Sequence, residues 1–368
     1  MYNNLYYYNI HKNPNYKVYQ NKRSSYQQPS YPQKNYEDDF DFNNSKICGI
    51  ANLGNNCYLN SGLQILASCK ELVNLIKKDK ISGFNNVSEL KNAFETLLSN
   101  SKLYYPNTFI KCFCSKNTDF VRGSQCCSQD FIRTLIRNIN DTYLSYGIEK
   151  NLENDEYKPT YKEKDKYTKF LLSNKIFPES KVMSIFSGIS KSHSFGICPK
   201  CRHEIDDYSF TYFIDQSIYS DEIEIYPEND FSDVLKINLV KYNRITMDCP
   251  QCDREISIKE ENKIVKLPKI FIFTLERYQG STNYDVKIKP DEFINMYDYI
   301  DNSLKADKAL YELFAINIRL GRSANFGHEI CQVKRGDKWY EINDSQVRLI
   351  NGPSDFGGSY GLFYRKRE

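Results

Sequence analysis

Four cysteines, paired as CPKC at Cys198 and Cys201 and as CPQC at Cys249 and Cys252, constrain this 368-residue chain more than any other feature. Two cysteines two residues apart form a knuckle that presents thiolates and backbone amides to one edge of a metal. Two such knuckles complete a tetrahedral four-cysteine zinc site. Residues 202–248, 47 in all, separate the knuckles, more than in a common zinc ribbon, so long intervening strands are expected, with the knuckles meeting at their tips. A closed, structural site is the expectation. A redox CxxC would stand near a βαβ pattern, and the duplication argues against it.

The rest of the composition narrows the class of protein. The chain is long enough to bury a substantial core as one large domain or two to three subdomains. Fifty basic against 47 acidic residues leave a net charge of +3, with no dense Lys/Arg block that would read as a nucleic-acid arm. The N-terminus lacks a basic flank followed by an apolar segment, and no apolar run approaches the roughly 18 residues of a membrane span. A soluble protein is expected, intracellular in the cytoplasm, the nucleus or both, with its twelve cysteines used for metal and catalysis rather than disulfides. Residues 1–45, rich in Tyr, Asn, Gln and Pro, read as a disordered tail. From 46 to about 190 helical periodicity dominates, as in SELKNAFETLLSN and SQDFIRTLIRNI, and the charged stretch 151–169 reads as a surface loop. After 205 the pattern turns to strands: YSFTYFI, VLKINLV, KIFIFTLERY, LFAINIRL, HEICQVKR and KWYEIN.

The stretch GIANLGNNCYLNSGLQILASCKEL, from residue 49, puts a cysteine where a helix begins. Gly54 and Asn55-Asn56 read as turn and cap, and Leu59, Leu63, Leu66 and Val73 fall near one helical stripe. Backbone N–H groups and the helix dipole favour a thiolate at Cys57, the reactive form of the side chain. A buried structural thiol is the alternative. If Cys57 is acylated by a substrate carbonyl, Asn52 on the same loop is placed to join the Cys57 N–H as an oxyanion donor; otherwise it stabilises the turn.

A catalytic thiol needs a base, and the histidines are His11, His193, His203 and His328. His11 lies in the tail, and His193 and His203 flank a CPxC. His328 opens HEICQVKRGDKWYEIN, two strand-like runs around an RGDK turn. With Gly336-Asp337 as the two-residue loop, His328 faces Ser345 and stands diagonal to Asn343; with Arg335-Gly336, it faces Asn343 directly. Either register puts the pair on one face, where Asn343 can fix the imidazole's tautomer. A bulge would break this pairing, and an ordinary polar hairpin face is the alternative.

Taken in order, these motifs resemble the catalytic domain of ubiquitin-specific proteases, over residues 46–368. GIANLGNNCYLNSGLQ resembles the family's cysteine box, SQDF its glutamine-aspartate box, KLPKIFIFTLERY its palm strand, and FGHEICQVKRGDKWYEINDSQV with GGSYGLFYRKRE its histidine box and closing strand. The resemblance implies an α+β, papain-like cysteine protease fold: helical thumb mainly over 46–190, β fingers carrying the zinc ribbon mainly over 191–262, and β palm mainly over 263–368. It implies Cys57 as nucleophile, His328 as general base, Asn343 as orienting residue with Asp344 as a secondary contributor, and Asn52 as oxyanion donor. Gln129, Asp130 and Gly327 fall at substrate-binding positions, and Cys198, Cys201, Cys249 and Cys252 hold one structural Zn2+. The implied activity is thiol-dependent hydrolysis after the C-terminal glycine of ubiquitin. Ubiquitin and ubiquitinated proteins are the implied partners of a monomer that binds neither nucleic acid nor membrane. A catalytically weak ubiquitin-binding scaffold, or a protease for another ubiquitin-like modifier, are the alternatives. Three positions depart from the family pattern: Asn56 replaces the usual Thr before the cysteine, Glu329 the usual Tyr after the histidine, and Arg133 a frequent Glu that helps to bind ubiquitin's basic tail. The last leaves Asp130 to do more of that work, or implies a different modifier.

Overall fold

The computed structural model describes residues 41–42, 46–99, 101–147, 157–174, 180–219, 229–239, 242–279, 282–283, 286–304, 309–321, 327–354 and 356–367. Nearly all of the expected tail, and the first part of the expected loop at 151–156, lie outside them.

The first half is helical. Gly54 (φ +111°) and Asn55 (φ +52°) reverse the chain immediately before α1 (Cys57–Ala67). All eleven residues of α1 are buried, so this helix is a core element on every side. Gly62 lacks a β-carbon where one would collide with the Phe131 ring, which lets the helix seat closely against its neighbour. The stripe expected to run on through Val73 is divided. Ser68 returns its hydroxyl to the Gln64 carbonyl (2.9 Å), Cys69 turns extended, and Val73 belongs to α2 (Lys70–Lys78). Then follow α3 (Asn86–Leu97), capped by the Asn85 side chain on Val87 N and Ser88 N, α4 (Asn107–Lys116) and the 18-residue α5 (Ser128–Ser145). Edge-to-face rings of Tyr58, Phe113 and Phe131 join α1, α4 and α5, each such pair adding about 0.5–1.5 kcal/mol beyond simple burial.

The loop expected over 151–169 is corrected at its end, because 161–169 fall within helix α6 (Tyr161–Asn174). The signal was T-x-x-E at Thr160 and Glu163. Glu163 Oε2 accepts from Thr160 N (2.7 Å) while Thr160's carbonyl receives the Glu163 and Lys164 amides, which starts the helix. Tyr167 then packs on Phe210 of the adjoining sheet (4.9 Å between centroids). Glu163 also pairs with buried Lys191, which reaches on to Asp301 (2.6 Å each).

The second half is two sheets. The fingers are a four-stranded antiparallel sheet in the order β4-β3-β7-β6, from β3 (Gly188–Ile197), β4 (Glu204–Phe213), β6 (Tyr242–Asp248) and β7 (Glu255–Lys266). The segment between the knuckles is not strands alone. It leaves the fingers to add β5 (Asp215–Tyr219) to the palm, parallel to β8 (Ile270–Glu276), and returns through α7 (Phe231–Asn238). VLKINLV, expected as a strand, therefore lies mostly in a helix. Phe231, Val234 and Leu235 recur at helical spacing and are buried against the palm, with Phe231 edge-on to Phe273 at 5.0 Å.

The palm is an eight-stranded sheet whose main path runs β12-β11-β10-β9-β13-β8-β5, with the short strand Phe293–Asn295 paired to β9. Its members are β9 (Leu310–Leu320), β10 (His328–Arg335), β11 (Lys338–Asn343), β12 (Gln346–Ile350) and β13 (Ser359–Lys366). IFIFTLE is apolar without alternation because both faces of β8 are covered: Ile270 and Ile272 join the helical core, and Phe271 and Phe273 join the core on the opposite face. Among the described residues no helix is long and apolar enough to cross a membrane.

Candidate active site

Hairpin register decides which side chains meet. Arg335 pairs with Lys338 and Cys331 with Ile342, so Gly336-Asp337 is the loop, with Gly336 at φ +57° as a primed turn requires. The first of the two expected registers is the one observed. His328 and Asn343 are thus diagonal neighbours on one face, and His328 Nε2 lies 2.7 Å from Asn343 Oδ1. An amide oxygen only accepts, so Nε2 carries the proton and Nδ1 keeps the free lone pair of a base.

Cys57, 5% exposed, sits where α1 meets β10. Burial is the largest influence on its thiol and pushes the pKa up. A backbone hydrogen bond from Glu329, the residue after His328, acts in the opposite direction, and the charges of Glu329 and Asp344 raise it further. Such a thiol does not ionise by itself at neutral pH and depends on a neighbouring base to take its proton.

Asp344 stands apart from the histidine's hydrogen bond. The chain turns at this residue (φ +51°), and its carboxylate accepts from Asn52 Nδ2 (2.8 Å) and Asn60 Nδ2 (2.7 Å). Asn52, expected as an oxyanion donor, gives one of its two amide N–H groups to Asp344, while its Oδ1 receives Gly54 N (3.0 Å) and shapes the turn. Asn60 escaped the sequence reading. The available signal was an asparagine one turn into a mostly apolar helix, which is unfavourable unless its amide finds partners. The Asp344 turn is also clamped from the cysteine side. A short strand β1 (Gly49–Ile50), paired in parallel with β2 (Leu103–Tyr104), sends Ile50 N to Asp344 O (2.8 Å), and any β-carbon on Gly49 would overlap the Ser345 carbonyl.

The other expected substrate-binding positions gather at the head of α5. Gln129 is buried, and its amide lies against Gly361 of β13, where a side chain would collide with it. Asp130 is exposed but paired with Arg133 (2.7 Å), whose other nitrogen reaches Asp215 (2.7 Å). The arginine at the departing position therefore neutralises the acid expected to act in its place. Gly327 N donates to Gln125 Oε1 (3.3 Å) just before His328.

The four knuckle cysteines come together at the tips of the fingers, all their sulfur atoms within 4.8 Å of one another, a set that can hold a metal ion. Each knuckle closes identically: Cys198 N to His203 O and Cys249 N to Arg254 O, both 2.9 Å, with Arg202 (φ +62°) and Asp253 (φ +52°) left-handed just beyond the second cysteine. Amides of Cys201 and Lys200 directed at Cys198 hold its pKa down at about 6, so the ligand form of that sulfur is the resting one.

The family model described as ubiquitin carboxyl-terminal hydrolase matches residues 48–364. Among curated proteins, the chain is 26% identical to a probable ubiquitin carboxyl-terminal hydrolase 4 of Schizosaccharomyces pombe, over 95% of this chain and 64% of that one. It is 22% identical to ubiquitin carboxyl-terminal hydrolase 23 of Arabidopsis thaliana, over 86% and 35% respectively. The chain thus spans less than two thirds of the length of either relative. Among solved structures, the SAGA Ubp8/Sgf11/Sus1/Sgf73 DUB module bound to ubiquitin aldehyde has the same fold, at a TM-score of 0.64 and 20% identity over 88% of this chain and 70% of that one. With the α+β architecture, the cysteine at the head of a buried helix and the family model spanning nearly all of the described chain, the protein belongs to the ubiquitin carboxyl-terminal hydrolase family, the ubiquitin-specific proteases.

Proposed function

We propose that this chain is a cysteine-type deubiquitinase that hydrolyses isopeptide and peptide bonds after the C-terminal glycine of ubiquitin. The observation that carries the reading is the His328–Asn343 hydrogen bond on the strand whose next residue donates its backbone N–H to Cys57. His328 takes the thiol proton, the thiolate adds to the glycine carbonyl, and the imidazolium returns its proton to the leaving amine. Water then releases the acyl-enzyme with His328 again as base. The Cys57 N–H at the start of α1 is in place for the oxyanion.

Reaction with ubiquitin carrying a C-terminal electrophile tests this reading. The expected product is one covalent ubiquitin at Cys57, and probes built on other ubiquitin-like modifiers, run beside it, report the modifier preferred. Binding of ubiquitin without reaction would favour the scaffold. Reaction with another modifier's probe alone would move the substrate.

Asn343 is the orienting residue in this scheme. Asn343→Ala is expected to lower kcat by roughly tenfold or more, Asn343→Asp to keep most of it, and Asp344→Ala to cost less because it leaves the His328 contact in place. In a cycle with His328→Ala, the loss at Asn343 disappears once the histidine is gone. A full loss in that background, or the reverse order of Asn343→Ala and Asp344→Ala, would remove Asn343 from the triad.

The metal of the fingers is proposed to be one structural zinc on Cys198, Cys201, Cys249 and Cys252. Sulfur–sulfur edges of 3.7 Å (Cys201–Cys249) and 3.8 Å (Cys198–Cys252) match the roughly 3.8 Å edge of a tetrahedron with Zn–S bonds of about 2.3 Å. Its place is to fix the fingers that would cup the body of ubiquitin.

A further inference from the structure

Glu329, the departure beside the catalytic histidine, is 2% exposed, and a carboxyl group that deep persists only when its oxygens are satisfied. Its partners come from two other elements. From the head of α5, Ser128 N donates to Oε2 (3.1 Å) and Oε1 (3.3 Å), and Ser128 Oγ also contacts Oε2. From β9, Asn317 Nδ2 donates to Oε2 (3.3 Å) and Arg319 Nη1 to Oε1 (3.4 Å). Ser128 Oγ simultaneously reaches the Tyr58 carbonyl (2.8 Å), one residue beyond the nucleophile. The carboxyl therefore joins the helix that begins with Ser128-Gln129-Asp130, the strand of Asn317 and the strand of His328.

We propose that Glu329 is a positioning residue that locks the first turn of α5, and with it Gln129 and Asp130, onto the strand that carries His328. Gln129 Nε2 is buried without a hydrogen-bond partner and rests against the backbone of Gly361, so the placement of Gln129 follows from the seat of the helix. Ser128 Oγ has one proton and two acceptors, Tyr58 O and Glu329. Desolvation raises the Glu329 pKa against the opposing pull of Ser128 and Arg319. A glutamine can keep both contacts, with an N–H for Ser128 Oγ, whose own proton goes to Tyr58 O, and a carbonyl for Ser128 N.

The consequence for substrate rests on the deubiquitinase reading; the lock itself does not, and two readouts separate them. Glu329→Ala is expected to raise hydrogen exchange of the first-turn amides of α5 by about tenfold and to raise KM for a ubiquitin-linked substrate by a similar factor, with kcat less affected. Glu329→Gln is expected to restore both to within about threefold. The glutamine variant carries a third readout that a purely structural role would not move. Glu329 is one of two acids whose charge raises the Cys57 pKa, the other being Asp344 from the β11–β12 turn. Arg319 from β9, and Cys126, Cys127 and Asp130 around the head of α5, complete the titratable surroundings with His328 itself. Alkylation of Cys57 by iodoacetamide is therefore expected to shift to lower pH in Glu329→Gln. Wild-type exchange at α5 in Glu329→Ala would overturn the lock, as would a glutamine variant as damaged as the alanine one. If the alanine variant does not fold, Glu329→Leu, which fills the same space without an acceptor for Ser128 N, replaces it, and unchanged exchange there overturns the lock equally. Raised exchange in a protein that never reacts with ubiquitin would sink the deubiquitinase reading and leave the lock standing.

Discussion

Cys57→Ala is expected to abolish both labelling by a ubiquitin electrophile and isopeptide cleavage, a loss of roughly 10³-fold or more, while ubiquitin affinity changes by less than about threefold. The substitution removes a single sulfur from a helix buried on all sides, a packing loss of about 1 kcal/mol, so the variant stays folded and keeps its contact surface. The other thiols near the cleft are poor substitutes. Burial pushes Cys127 up to about 12, with the charges of Glu329 and Asp130 adding to it, and Cys69 is fully buried with its pKa well above the ordinary value. Labelling that persists at Cys69, Cys126 or Cys127 would mean that the nucleophile is misassigned. The raised Cys57 pKa sets a pH test with a definite sign. A thiol whose pKa lies above its ordinary value is protonated below it, so in a His328→Ala background alkylation of Cys57 should climb with pH through and beyond 9. The intact pair should react well below that. Equal profiles for the two proteins would show that His328 does not take the proton.

Loss of the metal is expected to be the second large effect, felt in stability and binding rather than in chemistry. The apolar cluster at the tips of the fingers is small: Ile205, Ile256 and Ile258 with the cysteines themselves, flanked by Ile245 and Met247. Such a cluster is too small to hold two knuckles together, so the bound ion has to. Cys249→Ser, or a strong chelator, is expected to lower Tm by roughly 5–10 °C, to expose the tip amides of β3, β4, β6 and β7 to exchange, and to weaken ubiquitin binding. Alkylation of Cys57 by a small electrophile should remain at the wild-type rate, because the fingers sheet and the catalytic hairpin belong to different sheets. Protein purified without chelator that contains no zinc and four free thiols would refute the site. A fall in Cys57 alkylation equal to the fall in ubiquitin binding would show that the metal acts on the chemistry as well.

The sequence by itself determined the features whose physics is local. The CPxC spacing makes each knuckle, the glycine and asparagines before Cys57 start α1, and the RGDK turn puts His328 and Asn343 on one face in either of its two registers, of which the structure takes the one with Gly336-Asp337 as the loop. One element was misjudged although its signal was local, and a second because its local signal is ambiguous. At Thr160 and Glu163 a capping box starts a helix inside a charged stretch, and VLKINLV is too short an apolar run for period alone to separate strand from buried helix. Only the palm's apolar face, by burying Phe231, Val234 and Leu235 together, decides for the helix. What tertiary structure alone decided are the bonds between residues hundreds of positions apart. Asn52 and Asn60 reach Asp344 across 292 and 284 residues, and Ser128 reaches Glu329 across 201. No periodicity encodes such pairs, because each depends on how a helix and a strand from different halves of the chain are seated on one another. That seating is set by side-chain packing over the whole interface between the helices and the palm, and the polar groups caught within it must find partners wherever the packing places them.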